Sequence, residues 1–324
     1  MTSVYHTLAE LQTELSGKGG AYIATLGLFD GVHIGHQYLI EQCISRARAE
    51  GKESLVITLD RHPLSVLFPD RPLPHTLASL SQKVKWIEQI GPDHLLVLPF
   101  TPELAHLSAS AFIAPFMDLG LRGLVLGYDN RFGSCDGRHD SLSDFDQALT
   151  HLGLEVHRVT PFLHRGEVVS SSRIRQAIQE LQFEVAEELL GRPYTLVGSV
   201  QGGRQIGRTI GFPTANVVPY DSQVTLPQVG VYIAEVAHRG QLYPSMAYYG
   251  STPTISDGGQ PLYRVEAYLF GFEGELYGEE LEVGFRHFLR PDQKFESLQH
   301  LHHQLQADAD ATLHYFQTHS FTLR

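Results

Sequence analysis

Thr25-Leu26-Gly27-Leu28-Phe29-Asp30-Gly31-Val32-His33-Ile34-Gly35-His36 decides how the first half of this chain folds. It begins inside the apolar run Tyr22 to Leu28 and leads into Gly35 to Glu50, where Leu39, Ile40, Cys43, Ile44 and Ala47 recur at helical spacing. The order is strand, glycine turn, helix. In open α/β folds ligands bind beyond the carboxyl ends of the strands, at such a junction. Gly27 and Gly31 let backbone approach a ligand closely, and the helix N-terminus offers unpaired N–H groups and partial positive charge to phosphate. His33 and His36 could donate hydrogen bonds to phosphate oxygens as charge builds in a transition state; a helix cap and a packed core residue are the structural alternative.

Outward from this stretch the pattern repeats. Ser54 to Leu59, His94 to Leu98, Gly123 to Leu126 and Leu154 to Val159 read as strands, with helical patterns between them such as Val84, Ile87 and Ile90. Alternation of this kind implies a parallel, Rossmann-like sheet covered on both faces. After a helical pair over Ser172 to Leu190 the texture changes at Gly191-Arg192-Pro193. Val229 to Val236, Tyr263 to Phe272 and Glu280 to Phe285 are short β-rich runs that suit an antiparallel barrel or sandwich. From Phe295 onward, Leu298, Leu301, Leu305, Leu313 and Phe316 are expected on one side of a long helix packed on the barrel. The expected domains are residues 1–188 and 189–324.

A chain of 324 residues, 42% hydrophobic, can bury more than one core. Its formal net charge of -12 argues against a nucleic-acid or anionic-membrane partner, because such surfaces need clustered Lys and Arg. Cys43 and Cys135 are far apart, with no CxxC, so neither a disulfide framework nor a zinc site is expected. Met1 to Gly20 lacks the apolar core of a signal peptide, and no apolar run approaches the ~20 residues that span a bilayer. These features point to a cytoplasmic protein; self-association is left open.

Six motifs narrow the function. Phe29-Asp30-Gly31-Val32-His33 and His36 resemble the HxGH signature of nucleotidyltransferases in the form found in bacterial FAD synthetases. Gly127-Tyr128-Asp129-Asn130-Arg131-Phe132-Gly133 is similar to that family's GxDFRFG loop, and Ser170-Ser171-Ser172-Arg173-Ile174-Arg175 to its SSTRIR element. In the second half, Gly207-Arg208-Thr209-Ile210-Gly211-Phe212-Pro213-Thr214-Ala215-Asn216 resembles the riboflavin kinase signature GRxxGFPTAN, preceded by the glycine-rich Gly202-Gly203. Leu276-Tyr277-Gly278 and Leu289-Arg290-Pro291-Asp292-Gln293-Lys294-Phe295 are similar to the same family's LYG and LRPExKF elements. The resemblance runs from about Thr25 to Phe316 and identifies the bifunctional riboflavin kinase/FAD synthetase family.

That resemblance implies two ATP-consuming transfers, with riboflavin, FMN and FAD as the flavins and Mg2+ as the metal. In the first half it implies that Gly27, Phe29, Asp30, His33, His36, Ser171, Ser172 and Arg173 hold ATP, and that Asp129 and Arg131 lie by the flavin. In the second half it implies that Gly203, Gly207, Arg208, Phe212, Pro213, Thr214, Asn216 and Arg290 hold ATP or flavin. Thr214 and Asn216 would be the metal ligands, and Glu266 the base for the ribityl hydroxyl. Physically, Ser171, Ser172 and Arg173 fit an anion clamp or an N-capped surface helix equally well. Arg290 fits ligand binding or a barrel-to-helix junction.

Several positions depart from the family pattern. Leu28 stands for the usual Asn, Asn130 for Phe and Leu59 for Phe; Tyr248 and Thr252 stand for the Asn and Arg of NIGxRPT, and Tyr268 and Gly271 for His and Asp. None is a residue to which chemistry is assigned, so both activities are expected with altered substrate affinity. The competing readings are a monofunctional FAD synthetase with a flavin-binding barrel, and a non-enzymatic flavin or nucleotide sensor. A cytidylyl or phosphopantetheine transferase would leave the kinase signature unexplained.

Overall fold

The computed structural model describes residues 1–17, 19–71, 73–133, 141–202, 206–221, 223–252 and 262–319. The chain divides into two compact units: Met1–Thr76 with Leu80–Ser171, and Leu77–Ser79 with Ser172–Arg324.

The first unit is built on six strands: β1 (Ser3–Tyr5), β2 (Tyr22–Leu26), β3 (Glu53–Leu59), β4 (His94–Leu98), β5 (Leu121–Gly127) and β6 (Glu155–Val159). Their spatial order is β1-β4-β3-β2-β5-β6 and every pairing is parallel. The period of two along each strand sends alternate residues to opposite faces. Tyr22, Ala24, Leu26, Leu55, Ile57, Leu96 and Leu98 pack with Phe112 and Phe116 of the helix Ala109–Asp118. Ile23, Val56, Leu95 and Val97 pack with Leu39, Ile40, Cys43 and Ile44 of the helix Ile34–Ala49, and with Ile87 of the helix Leu80–Ile90. The doubly covered parallel sheet read from the sequence is therefore present. Strand β1, a three-residue edge in a polar segment, has too little pattern to be read from sequence.

The chain leaves β2 toward β3 on one side, while β5 closes against β2 on the other. The carboxyl end of β2 is thus the topological switch point, where the crevice of a doubly wound sheet opens. The quoted stretch sits there. A short hairpin, β7 (Leu163–His164) and β8 (Glu167–Val168), follows β6. Burial pushes the Cys43 thiol up to about 12, as suits an inert core residue; Cys135 lies outside the described residues.

In the second unit β9 (Tyr194–Gln201), β10 (Ala215–Pro219), β11 (Gly230–His238), β12 (Gln241–Thr252), β13 (Leu262–Leu269) and β14 (Glu280–Pro291) close an antiparallel barrel in the order β10-β13-β12-β11-β14-β9. Closure leaves no edge strand open to another chain. The helices Ser171–Gln179 and Phe183–Leu190 precede it, and Phe183 packs on Tyr232 and Phe285. Arg286 on β14 ties Glu187 to Glu235 at 2.5 Å each.

The C-terminal helix Leu298–Thr318 packs differently from its leucine pattern. Its buried residues are Asp308, Ala309 and Thr312, with Leu305 joining Phe212, Met246 and Tyr268. Leu298 is 60% exposed and Leu313 40%. The seam is turned because Asp308 enters it to meet Arg290, which places Leu313 off the contact stripe. No helix among the described residues is long and apolar enough to cross a membrane.

Candidate active sites

At the end of β2 the backbone turns through an unusual sequence of conformations. Phe29 (φ 50), Gly31 (φ 73) and Val32 (φ 38) all occupy the left-handed region. For a β-branched residue this is a true outlier, and held strain of this kind costs about 1–3 kcal/mol per residue. The loop is held by burial and by bonds from its neighbours. Phe29 is 1% exposed, and its ring lies where a Cβ on Gly27 would sit, 2.9 Å from Cε1. Thr58 Oγ1 donates to the Leu28 carbonyl at 3.2 Å, and Ser171 Oγ donates to the Asp30 carbonyl at 3.0 Å.

His33 ends this loop and caps the helix Ile34–Ala49: its Nδ1 accepts from the His36 backbone N–H at 3.2 Å. A neutral His33 then carries its proton on Nε2 and can donate from there. The two imidazoles stack at 3.5 Å between centroids, and Phe29 meets His36 edge-on at 5.4 Å. His33 is only 4% exposed whereas His36 is half-buried. His33 is thus the helix cap of the structural alternative, and His36 is the more accessible ring.

The loop after β5 lies beside the same strand ends. Asn130 donates through Nδ2 to the Leu26 carbonyl. Arg158 on β6 donates to the Gly127 and Asn130 carbonyls at 2.6 and 2.7 Å while Asp146 grips its guanidinium. Asn130, a departure from the family pattern, therefore has a local structural purpose. Asp129 and Arg131 are exposed, and Tyr128 bonds to Asp129. Ser172 is exposed and Arg173 half-buried in the first turn of the helix Ser171–Gln179.

Two residues here escaped sequence reasoning. Arg158 gave no signal beyond a charge on a short strand. Lys83 did give one: it interrupts the stripe that continues as Ile87 and Ile90. It is 5% exposed and donates to the Leu28 and Leu59 carbonyls at 3.1 and 2.6 Å.

In the barrel, strand register assembles the second site. Asn216 on β10 stands opposite Glu266 on β13, Glu266 opposite Tyr248 on β12, Tyr248 opposite Val231 on β11, and Val231 opposite Arg290 on β14. Directly opposed residues of antiparallel strands project to the same face. Residues one step along β13, Val265 and Ala267, are fully buried in the core, so Glu266 belongs to the outer row. Tyr248 bonds to Asp292; burial first, then Asp292 and Glu266, push its phenol up to about 12. Its hydroxyl is therefore neutral and a donor at pH 7.

A cavity of about 300 Å³ opens at the Asn216 end of this row, and Arg208, Pro213, Thr214, Asn216, Tyr268, Gly271 and Tyr277 are among its lining residues. The signature segment reaches it through a tight turn. A Cβ on Gly207 would run into the Phe212 carbonyl, and Gly211 has φ 84. Phe212 is buried against Met246, Ala309 and Leu305, so it anchors the turn. Gly203 lies outside the described residues. Arg290 is gripped by Asp308, 2% exposed, with Nη2 to Oδ2 at 2.7 Å, and Nη1 donates to the Pro291 carbonyl. That is the junction alternative for Arg290.

Comparison with known proteins agrees with both halves. The FAD synthetase family matches residues 18–173 and the riboflavin kinase family matches residues 190–316. Bifunctional riboflavin kinase/FMN adenylyltransferases of Listeria monocytogenes and Escherichia coli K12 are each 34% identical to the chain, over 91% and 88% of it and 92% and 90% of their own lengths. The Bacillus subtilis protein of that name is 32% identical over 98% of this chain and 97% of its own. A crystal structure described as a macrolide-efflux protein from Streptococcus pneumoniae superposes with a TM-score of 0.82 at 30% identity, covering 96% of this chain and 98% of that one. With two family matches in tandem and relatives aligned along nearly their whole length, this chain belongs to the bifunctional riboflavin kinase/FMN adenylyltransferase family.

Proposed function

We propose that this chain phosphorylates riboflavin to FMN and adenylylates FMN to FAD, using ATP in both steps, in the cytoplasm. Adenylyl transfer is assigned to residues 1–188 and the kinase to residues 189–324. The observation that carries the kinase reading is the register that sets Glu266 opposite Asn216 beside a cavity lined by Arg208 and Thr214.

In the kinase, the ribityl hydroxyl oxygen attacks the γ-phosphorus of ATP, the bond from that phosphorus to the bridging oxygen breaks, and the hydroxyl proton passes to Glu266. Arg208 faces the phosphates from the cavity wall. The Thr214 hydroxyl and Asn216 side-chain carbonyl are hard oxygen donors of the type Mg2+ takes, and they would hold it. Bound there, Mg2+ would supply positive charge to the phosphates.

In adenylyl transfer the FMN phosphate is already an anion, so the step needs alignment rather than a base. Its oxygen attacks the α-phosphorus of ATP and pyrophosphate leaves. The helix N-terminus, His36 and the Nε2 proton of His33 face the developing charge, with Ser171, Ser172 and Arg173 as the phosphate clamp. Asp129 and Arg131 are assigned to the flavin. The direct assay supplies riboflavin, ATP and Mg2+ and separates the flavins: FMN and then FAD are expected. Protein that leaves riboflavin untouched but converts FMN would reduce the assignment to a monofunctional FAD synthetase.

A further inference from the structure

Lys83 is a buried cation of the first unit that the reaction as described does not use. It projects from the helix Leu80–Ile90, and its ammonium donates to the carbonyls of Leu28 and Leu59. Both lie at or just beyond the carboxyl ends of β2 and β3, where the crevice opens. Uncompensated, two carbonyl dipoles there would repel a polyphosphate. The carboxylates that act on the ammonium are Asp30, in the strained turn, and Asp60, which Arg61 also pairs at 2.8 Å. The Leu28 carbonyl immediately precedes left-handed Phe29, so whatever fixes that carbonyl fixes the entry to the loop carrying Asp30 and His33.

We propose that Lys83 is a positioning residue for adenylyl transfer: its ammonium clamps the ends of β2 and β3 so that the loop holding His33 and His36 keeps its strained, phosphate-receiving form. This rests on the functional reading above and adds a residue to it. Only the protonated form has three donors to share between the carbonyls; a neutral amine has two weaker donors and no charge. Burial drives the Lys83 pKa down to about 8, with Asp30 and Asp60 opposing the shift. The clamp is therefore charged at pH 7 and loosens as the pH rises through that value.

The test measures FMN-to-FAD and riboflavin-to-FMN rates on the same preparations of wild type, Lys83→Met and Lys83→Arg, from about pH 6 to about pH 9.5. Wild type is expected to lose FAD formation along an alkaline limb near pH 8 that the kinase rate does not share. Lys83→Met should lower kcat for FAD formation roughly 30-fold or more at pH 7 and lose the limb, because small misplacement of reacting groups is costly. Lys83→Arg, which stays protonated, should recover part of the rate and remain flat across the range. The thermal or denaturant transition of the first unit, followed by circular dichroism, reports whether each variant folds there, with kinase activity as the control for the second unit; if Lys83→Met does not fold, the wild-type limb and the arginine variant decide. An unchanged FAD rate in folded Lys83→Met, or the same limb persisting in Lys83→Arg, overturns the inference alone. Wild type that makes no FAD from FMN at pH 7 overturns the functional reading and this inference with it.

Discussion

Asn216 and Glu266 face each other directly across β10 and β13, on the outer face of the barrel. One is the last residue of the glycine-rich signature and the other lies fifty residues on, yet the antiparallel register makes them neighbours. The proposed metal ligand and the proposed proton acceptor thus share one cross-strand pair. Glu266→Gln keeps the shape and removes the base. Riboflavin phosphorylation should fall by roughly 10²–10⁴ in kcat, with little change in KM, while conversion of supplied FMN to FAD continues. A pH–rate profile of the residual activity should lack the acid limb of wild type.

Gly207→Ala tests the turn that delivers Thr214. The added Cβ meets the Phe212 carbonyl, which cannot move without drawing Phe212 out of its contacts with Met246 and Leu305. A stability loss of about 1–3 kcal/mol in the barrel unit is expected from overpacking. KM for ATP in the kinase reaction should rise, and the FAD synthetase rate should not.

Gly27→Ala is the counterpart in the first unit. Its Cβ would press on the Phe29 ring, 1% exposed, and displace a loop already strained at Phe29 and Val32. FAD formation should drop by about tenfold or more with the kinase rate retained, read by separating flavins after incubation with FMN and ATP.

Arg290 and Asp308 give a way to separate structure from binding. Removing Asp308 leaves the guanidinium in a mostly buried site, and breaking such a pair costs roughly 3–5 kcal/mol. Asp308→Ala should therefore lower the denaturant midpoint of the barrel's transition. The double variant Arg290→Met/Asp308→Leu should recover most of that loss. Kinase activity returning with stability assigns Arg290 to the helix junction; activity still absent in the stable double variant assigns it to ligand binding.

The parallel sheet was legible because fully buried strands read as short apolar runs, as at Leu55 to Leu59, between helices with a strong period. The barrel was legible from β-rich runs, though which residues oppose one another was not, since register is a long-range property. The C-terminal helix misled because its leucines outnumber the residues that pack: Leu298 and Leu313 face solvent, and Asp308 enters the seam to meet Arg290. At the first site the motif marked the loop, but its supports came from elsewhere. Lys83 reaches it from a distant helix, marked in sequence only by a charge in an apolar stripe, and Arg158 holds the neighbouring loop after β5 from a distant strand with no signal beyond its charge.

Two separate sites acting in turn on one flavin should complement each other when two damaged proteins are mixed. His36→Ala and Glu266→Ala are each incubated with riboflavin, ATP and Mg2+, alone and together. His36→Ala alone is expected to stop at FMN, Glu266→Ala alone to leave riboflavin unchanged, and the mixture to make FAD. A mixture that forms no FAD, or a Glu266→Ala protein that phosphorylates riboflavin at the wild-type rate, would contradict it.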